Sequence, residues 1–334
     1  MSEFDLIRRF FTRPSPSAVL GVGDDAALLR LGSGMELAVS TDMLVSGTHF
    51  FPDTDPFLLG HKTLAVNLSD MAAMGAQPRW ATLALALPEV NETWLQKFSD
   101  GFFSLAEQYG VELVGGDTTR GSLNLCVTIM GEVPQGAALR RDGAQVGDDI
   151  WVSGKLGDAA LALAHLRKEV QLSAENFSAC ALALHLPQPR VALGLALRDV
   201  AHSAIDISDG LLADLGHILQ CSRLAAQIQF DLLPLSDALH TLSRADAHPS
   251  PARGGGAGLA SRCALSGGDD YELCFTAPIV QRAEIKKIAQ YLDVPLTCIG
   301  SIVANNGVAG SGCVVQAADG SVINNEVSGY DHFC

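Results

Sequence analysis

Positive charge is what this sequence has least of. Its 334 residues hold 22 Lys and Arg against 37 Asp and Glu, a formal net charge of −15. A surface of that sign repels phosphate backbones and anionic headgroups, so neither nucleic acid nor a membrane is an expected partner. Long hydrophobic runs are missing too: no stretch reaches the roughly 18 apolar residues of a membrane span. The opening segment, Met1-Ser-Glu-Phe-Asp-Leu-Ile-Arg-Arg-Phe-Phe11, mixes charges and lacks the apolar centre of a secretory signal. The eight cysteines form no CxxC pair, and several sit in apolar runs such as Glu272-Leu-Cys-Phe275. They read as small core residues of a cytoplasmic protein, which excludes a disulfide framework or a cysteine zinc site. A Gly-Lys-Ser/Thr phosphate loop and a Gly-x-Gly-x-x-Gly turn after a strand are both absent. No Ser/His/Asp or Cys/His arrangement stands out, so nucleophilic catalysis is not indicated.

What is present is enough apolar material to fold. Hydrophobic residues make up 48% and charged ones 18%, the balance of a globular chain. The length favours two domains over one core. Residues 1–136 are the expected N-terminal domain and 148–334 the C-terminal one, joined by a polar link between Pro134 and Gly147. In the first half, periodicity predicts a short helix from Phe4 to Phe11 and strands at Ala26–Leu31, Glu36–Ser40, Trp80–Leu87, Val111–Val114 and Leu123–Val133. Longer helices are expected over Asp55–Met74 and from an Asn91 cap to Tyr109. In the second half, strands are expected at Asp149–Ser153, Ala204–Ile207, Ala225–Phe230, Tyr271–Thr276, 295–303 and 312–317. Helices are expected at about 157–167, 188–200, Gly210–Cys221 and 279–291. The glycine-rich stretch His248–Gly258 reads as a surface loop. Strands and helices mix without a βαβ rhythm, which favours mixed sheets with helices on one face.

Acidic junctions recur along the chain, most of them beside glycine and next to a strand-like run: Gly21-Val-Gly-Asp-Asp25, Ser40-Thr-Asp42, Asn67-Leu-Ser-Asp70, Gly115-Gly-Asp-Thr-Thr-Arg-Gly121, Asp206-Ile-Ser-Asp-Gly210 and Ser266-Gly-Gly-Asp-Asp-Tyr-Glu272. Asp is a short, hard oxygen ligand, and several converging would repel one another without cations between them. The economical expectation is a site that gathers Mg²⁺ and, through it, the phosphates of a nucleotide. Each junction also has a plainer use. Gly-Asp-Asp makes ordinary turns, Ser40-Thr-Asp42 can cap, Asp209 can cap a helix N-terminus, and His49 is as well explained as a structural histidine. Asp70 is harder to explain away, because it lies in the apolar helix segment Ala65–Met74, where a lone carboxylate costs several kcal/mol. The glycines at 115 and 116 expose N–H groups that can cradle phosphate, and Arg120 can pair with it. Together, and without a nucleophile, these signals point to phosphoryl transfer by positioning and charge neutralisation.

The same residues resemble the thiamine-monophosphate kinase family, within the superfamily of aminoimidazole ribonucleotide synthetase and selenophosphate synthetase. The match runs from Phe4 to Phe333. It rests on Gly21-Val-Gly-Asp-Asp-Ala-Ala27, Ser40-Thr-Asp-Met-Leu-Val45, Ala65-Val-Asn-Leu-Ser-Asp-Met-Ala-Ala-Met-Gly-Ala76, Gly115–Gly121, Ile205-Asp-Ile-Ser-Asp-Gly-Leu211 and Gly329-Tyr-Asp-His-Phe333. The resemblance implies ATP-dependent phosphorylation of thiamine monophosphate to thiamine diphosphate, by direct in-line transfer through several Mg²⁺ ions. It implies a two-domain, synthetase-like α+β fold: an N-terminal mixed α/β domain that forms a homodimer sheet, and a C-terminal α/β domain that closes over the site. It assigns metal binding to Asp25, Ser40, Thr41, Asp42, Asp70, Asp117, Asp206 and Asp209, of which Asp25, Asp42, Asp70, Asp117 and Asp209 form the catalytic set. Gly116, Asp117, Arg141 and Ser208 would contact the nucleotide, and His49, Asp269 and Tyr330 the thiamine phosphate. At 269 the chain departs from the family's usual Gly-Gly-Glu-Asp by carrying Asp. Two alternatives stay open. One is another superfamily enzyme; selenophosphate synthetase would want a Cys near the N-terminus, whereas the first here is Cys126, and a hydrogenase-maturation relative would end in a functional Cys, as this chain does at Cys334. The other is an acidic protein that binds Mg-ATP without consuming it.

Overall fold

The computed structural model describes residues 2–246, 258–305 and 312–323. Most of the glycine-rich loop expected at 248–258, together with Tyr330 and Cys334, lies outside them. The chain divides into two compact units, Met1–Ala138 and Leu139–Cys334.

The first unit is a four-stranded sheet with helices. It contains β1 (Met35–Val45), β2 (Gln77–Leu87), β3 (Glu112–Arg120) and β4 (Asn124–Pro134), in spatial order β1-β4-β2-β3. β4 runs antiparallel to both β1 and β2, while β3 runs parallel to β2. A short helix α1 (Glu3–Leu6) continues into a π turn at Ile7–Phe11. Helix α2 (Pro56–Ala73) starts where Asp55 accepts from the Phe57 and Leu58 N–H groups, with proline in its first turn. Helix α3 (Glu92–Tyr109) starts at the Asn91 cap and ends at Gly110 in the left-handed conformation.

From Leu59 to Ser69 every residue of α2 is buried. The reason is the crossing with α3. A Cβ on Gly60 would run into the Phe98 carbonyl, and one on Gly101 into that of Phe57, so the two glycines let the backbones touch. Strand β4 alternates strictly between buried and half-buried residues. Its buried face carries Leu125, Val127 and Ile129. The opposite face of β1 leaves Leu37, Val39 and Met43 at 44%, 56% and 55% exposure.

The second unit has six strands: β5 (Asp149–Ser153), β6 (Ser203–Asp206), β7 (Ala225–Gln229), β8 (Leu273–Ala277), β9 (Leu296–Val303) and β10 (Cys313–Gln316). Their order is β10-β7-β9-β5-β8-β6, antiparallel throughout except for β10 beside β7. Seven helices accompany them among the described residues: α4 (Asp158–Leu166), α5 (Ala174–His185), α6 (Val191–Ala196), α7 (Leu211–Ser222), α8 (Asp237–Asp246), α9 (Leu259–Ser266) and α10 (Arg282–Leu292). Every residue of β5, β6 and β8 is buried, so this side of the sheet is covered on both faces. β5 and β6 run the same way on either side of β8. Their C-terminal ends, Ser153 and Asp206, therefore meet the start of β8 at one end of the sheet.

Four expectations need correction. Ala26–Leu31 forms no strand beyond an isolated bridge between Leu20 and Leu28; Leu28 is 54% exposed, so no apolar face is buried there to hold a ladder. The strand expected to end at Val114 runs on through Gly115–Arg120 as the second half of β3, where pairing with β2 overrides the poor strand propensity of glycine and aspartate. Leu139 and Ala144, inside the expected link, are buried in the second unit. Helices α5, α8 and α9 escaped the periodicity reading, and α6 is shorter than the expected 188–200.

Candidate functional site

Within the first unit, Ser40, Asp42 and Asp70 are brought together by β1 lying over α2. Ser40 donates from Oγ to Asp70 Oδ2 at 2.5 Å. The Asp42 N–H donates to Asn67 Oδ1 at 3.2 Å, and Asn67, 1% exposed, donates back to the Thr63 carbonyl of its own helix. Asn67 and Asp70 share a face of α2 because they are three residues apart. Thr41 alternates to the other sheet face, where its hydroxyl meets that of Thr128 at 2.9 Å. Asp25 is exposed in a bend, its N–H turned to Asp24. His49 accepts the Val45 N–H at Nδ1, 2.9 Å away; in the neutral ring the proton then sits on Nε2, which can donate.

Asp117 stands apart from that cluster. It pairs in register with Ala84 of β2, which pairs with Cys126 of β4, which pairs with Met43 of β1. It is therefore at the opposite edge of the sheet, on the face that carries Thr41 and not the one that carries Ser40 and Asp42. Beside it Gly116 has φ 150°, and a Cβ there would strike the Leu83 carbonyl. Only glycine lets β3 lie this close to β2 while presenting Asp117.

In the second unit the site residues gather at the sheet end. Asp206, 5% exposed, closes β6, and the turn Ile207–Gly210 leads into α7. Asp214, one turn into that helix and 3% exposed, accepts from the N–H groups of Ser208, Asp209 and Gly210 at 3.0, 3.0 and 3.1 Å, all on Oδ2. Burial, then the charges of Asp206 and Asp209, push the Asp214 carboxyl up to about 7. The segment 266–272 lies alongside the turn. Asp269 and Tyr271 donate their N–H groups to the Ser208 and Ile207 carbonyls at 2.9 and 2.8 Å, and Ile207 donates to that of Glu272 at 2.8 Å. Asp269 and Tyr271 both hold positive φ, 69° and 49°, and Tyr271 Oη donates to Asp269 Oδ1 at 3.0 Å. Such backbone is costly and survives where surrounding contacts over-determine it. Arg141 is exposed near the start of the unit, its carbonyl accepting from Ser222 Oγ at 3.1 Å.

The sheet end also holds Arg190 and Ser153, which the sequence reading did not single out, and the motif residues Asp270 and Glu272, to which it gave no separate role. Arg190 makes a bidentate pair with Glu272, 2.6 and 2.5 Å, and Ser153 donates to the same carboxylate. Asp270 accepts the Gly157 N–H at the start of α4 with both oxygens, and burial raises its carboxyl well above the usual range. Asp214 did carry a signal. A carboxylate inside the apolar segment Leu211-Leu-Ala-Asp-Leu215 is the same anomaly that picked out Asp70. Arg190 gave none, since an Arg before a helix is ordinary.

Mg²⁺ suits these donors by type. They are carboxylates and hydroxyls, and the mutual repulsion of Asp206, Asp209 and Asp214 is what a cation relieves. Among the described residues no three His, Cys, Asp or Glu converge on one metal position. Mg²⁺ commonly takes only one or two carboxylates and fills its other positions with water and phosphate oxygens, so the Asp42–Asp70 and Asp206–Asp209 pairs fit it.

The chain is similar to known proteins over nearly its whole length. Residues 23–133 match the family described as AIR synthase related protein, N-terminal domain. The chain is 49% identical to thiamine-monophosphate kinase of Escherichia coli strain K12, over 99% of this chain and 98% of the relative. The crystal structure of thiamine-monophosphate kinase from Stenotrophomonas maltophilia K279a superposes with a TM-score of 0.83 at 50% identity, covering 96% of this chain and 98% of the other. A structure of AaThiL complexed with AMPPCP and TMP superposes with a TM-score of 0.74 at 31% identity, covering 91% and 89%. With identity of this level sustained from end to end, the chain belongs to the thiamine-monophosphate kinase family of enzymes.

Proposed function

We propose that this protein transfers the terminal phosphoryl group of ATP to thiamine monophosphate, giving thiamine diphosphate and ADP. The observation that carries this is the Ser40–Asp70 and Asp42–Asn67 arrangement: carboxylates and a hydroxyl held together by β1 and α2. The related AaThiL has been solved complexed with AMPPCP and TMP, which supports this pair of substrates. The attacking atom is an oxygen of the substrate's own phosphate, already anionic near neutral pH, so no strong general base is required.

In this mechanism the chain's residues bind and align. Asp25, Asp42, Asp70, Asp117, Asp206 and Asp209 would hold several Mg²⁺ ions, with Ser40 beside Asp70 and Thr41 on the sheet face that carries Asp117. When bound, those ions neutralise the facing phosphates of donor and acceptor, which otherwise repel. Gly116, Arg141 and Ser208 orient the nucleotide. His49, donating from Nε2, and Asp269, fixed by Tyr271, orient the thiamine phosphate together with Tyr330. Residues 1–136 form the nucleotide and dimerisation domain, and 148–334 the domain that closes over the site. Support for a homodimer comes from the uncovered face of β1, where Leu37, Val39 and Met43 would meet a second copy. The free cysteines and the lack, among the described residues, of a helix long and apolar enough to cross a membrane suit a cytoplasmic enzyme.

Phosphorus NMR of the purified protein with Mg-ATP and thiamine monophosphate tests the reaction. A diphosphate ester signal growing with ADP is expected. ATP left intact, or hydrolysed without that signal, would refute it. Asp70→Asn and Asp117→Asn should each lower turnover by about 10³-fold or more with an unchanged circular dichroism spectrum; near-normal turnover in either would sink the metal-cradle argument.

A further inference from the structure

We infer that Asp214 is a positioning residue: one of its carboxylate oxygens gathers three consecutive main-chain N–H groups and so fixes where Asp206, Ser208 and Asp209 present their oxygens. The inference rests on the kinase function proposed above for what those three residues do, but its geometry stands by itself. Successive N–H groups that converge on one point form a cup for an anion, and in many proteins a phosphate fills it. Here the cup of Ser208, Asp209 and Gly210 is filled by the chain's own Asp214 Oδ2. Those N–H groups are therefore committed, and a ligand meets this turn through side chains.

The turn is gripped from two sides. On the outside, main-chain bonds from Asp269 and Tyr271 hold the Ser208 and Ile207 carbonyls, and a Cβ on Gly268 would come within 2.5 Å of the Ser208 carbonyl. On the inside the grip comes from Asp214, a side chain that substitution can remove without altering the outer main-chain bonds. Stability is a poor account of an aspartate here. It places a third carboxylate, 3% exposed, beside Asp206 and Asp209, where Asn would offer an acceptor without the charge. The arrangement makes sense if the turn must be rigid, as a pair of cation-holding carboxylates requires.

Two variants of the full-length protein test it, Asp214→Ala and Asp214→Asn, each read in two independent ways. Amide hydrogen exchange and proton shifts of Ser208, Asp209 and Gly210 report the clamp whether or not the enzyme turns over. The Mg²⁺ concentration for half-maximal turnover, set against the KM for thiamine monophosphate, reports its use. In Asp214→Ala the three amides should exchange like an exposed loop, and the Mg²⁺ midpoint should rise by about 10–100-fold with little change in that KM. In Asp214→Asn the amides should stay protected, their proton signals should move upfield together as the acceptor loses its charge, and the midpoint should fall between the other two. An alanine variant that folds with wild-type exchange and an unmoved Mg²⁺ midpoint overturns the inference. So does one that loses only turnover, in proportion to its unfolded fraction. Should the alanine variant not fold, Asp214→Asn decides: unmoved amide shifts or an unmoved midpoint overturn the role. If the wild type makes no thiamine diphosphate, the kinase function falls while exchange and shifts still judge the clamp. If the clamp fails in an active enzyme, this inference falls alone.

Discussion

The two sheets of this protein are finished differently. In the second unit β5, β6 and β8 are buried at every position, and its acidic residues crowd at one sheet end. In the first unit one face packs on α2 while the other leaves Leu37, Val39 and Met43 largely exposed, and the acidic residues divide between opposite edges. A sheet closed on both faces can hold a site by itself. A sheet with a bare apolar face and a divided site suits the homodimer proposed above. That contrast supports a second copy of the chain against the first unit, since Asp117 and Thr41 lie on the bare side of the sheet.

The contrast can be broken most severely at the closed sheet. Val152→Asp puts a lone carboxylate into a fully buried strand and should cost about 4 kcal/mol or more; urea titration should find the folded protein largely lost. Gly60→Val comes next. Its Cβ meets main chain and not a side chain that can swing away, so α2 and α3 must separate, at about 1–3 kcal/mol or more. The thermal midpoint should fall, and because Ser40 leans on α2 through Asp70, turnover should fall further than stability alone explains.

On the bare face the same kind of change should be mild for the single chain. Val39→Lys paired with Met43→Lys should alter subunit stability by about 0.5 kcal/mol or less per site, yet sedimentation should shift from dimer to monomer. An unchanged sedimentation profile would mean this face is not where copies meet. The smallest effect is chemical and costs no stability. Burial pushes the Cys180 and Cys263 thiols up to about 12, so at pH 8 they stay protonated and should resist iodoacetamide, while exposed Cys221 reacts first. Cys126, which pairs in register with Met43 on the bare face, should react faster in the double lysine variant than in the parent protein. Equal rates would argue against a covered face.

Much of the architecture was legible because it is local. The Asp55 and Asn91 caps and the Gly110 stop bounded α2 and α3 before any tertiary contact was known, since capping depends on a few neighbouring groups. Asp70 stood out as a carboxylate in an apolar run, and it does sit against β1. What the sequence could not reveal is non-local. β3 continues through Gly115–Arg120 only because β2 lies beside it, and no propensity of glycine or aspartate announces that. Arg190 became part of the site end because it pairs with Glu272, 82 residues away. Ser40, Thr41 and Asp42 looked like one ligand triplet, but strand alternation turns Thr41 to the other face.

By itself, then, the sequence determined the chemistry on offer: an acidic, oxygen-rich set of motifs with no nucleophile, on a chain able to fold into two units. Composition and short-range spacing suffice for that, because ligand type and helix ends are properties of a few adjacent residues. Tertiary structure alone decided which of those motifs share a face and which stand at opposite edges of a sheet. Those outcomes follow from strand pairing and helix crossing, where residues far apart in the chain are forced into contact and either satisfy one another's polar groups or leave them to a ligand.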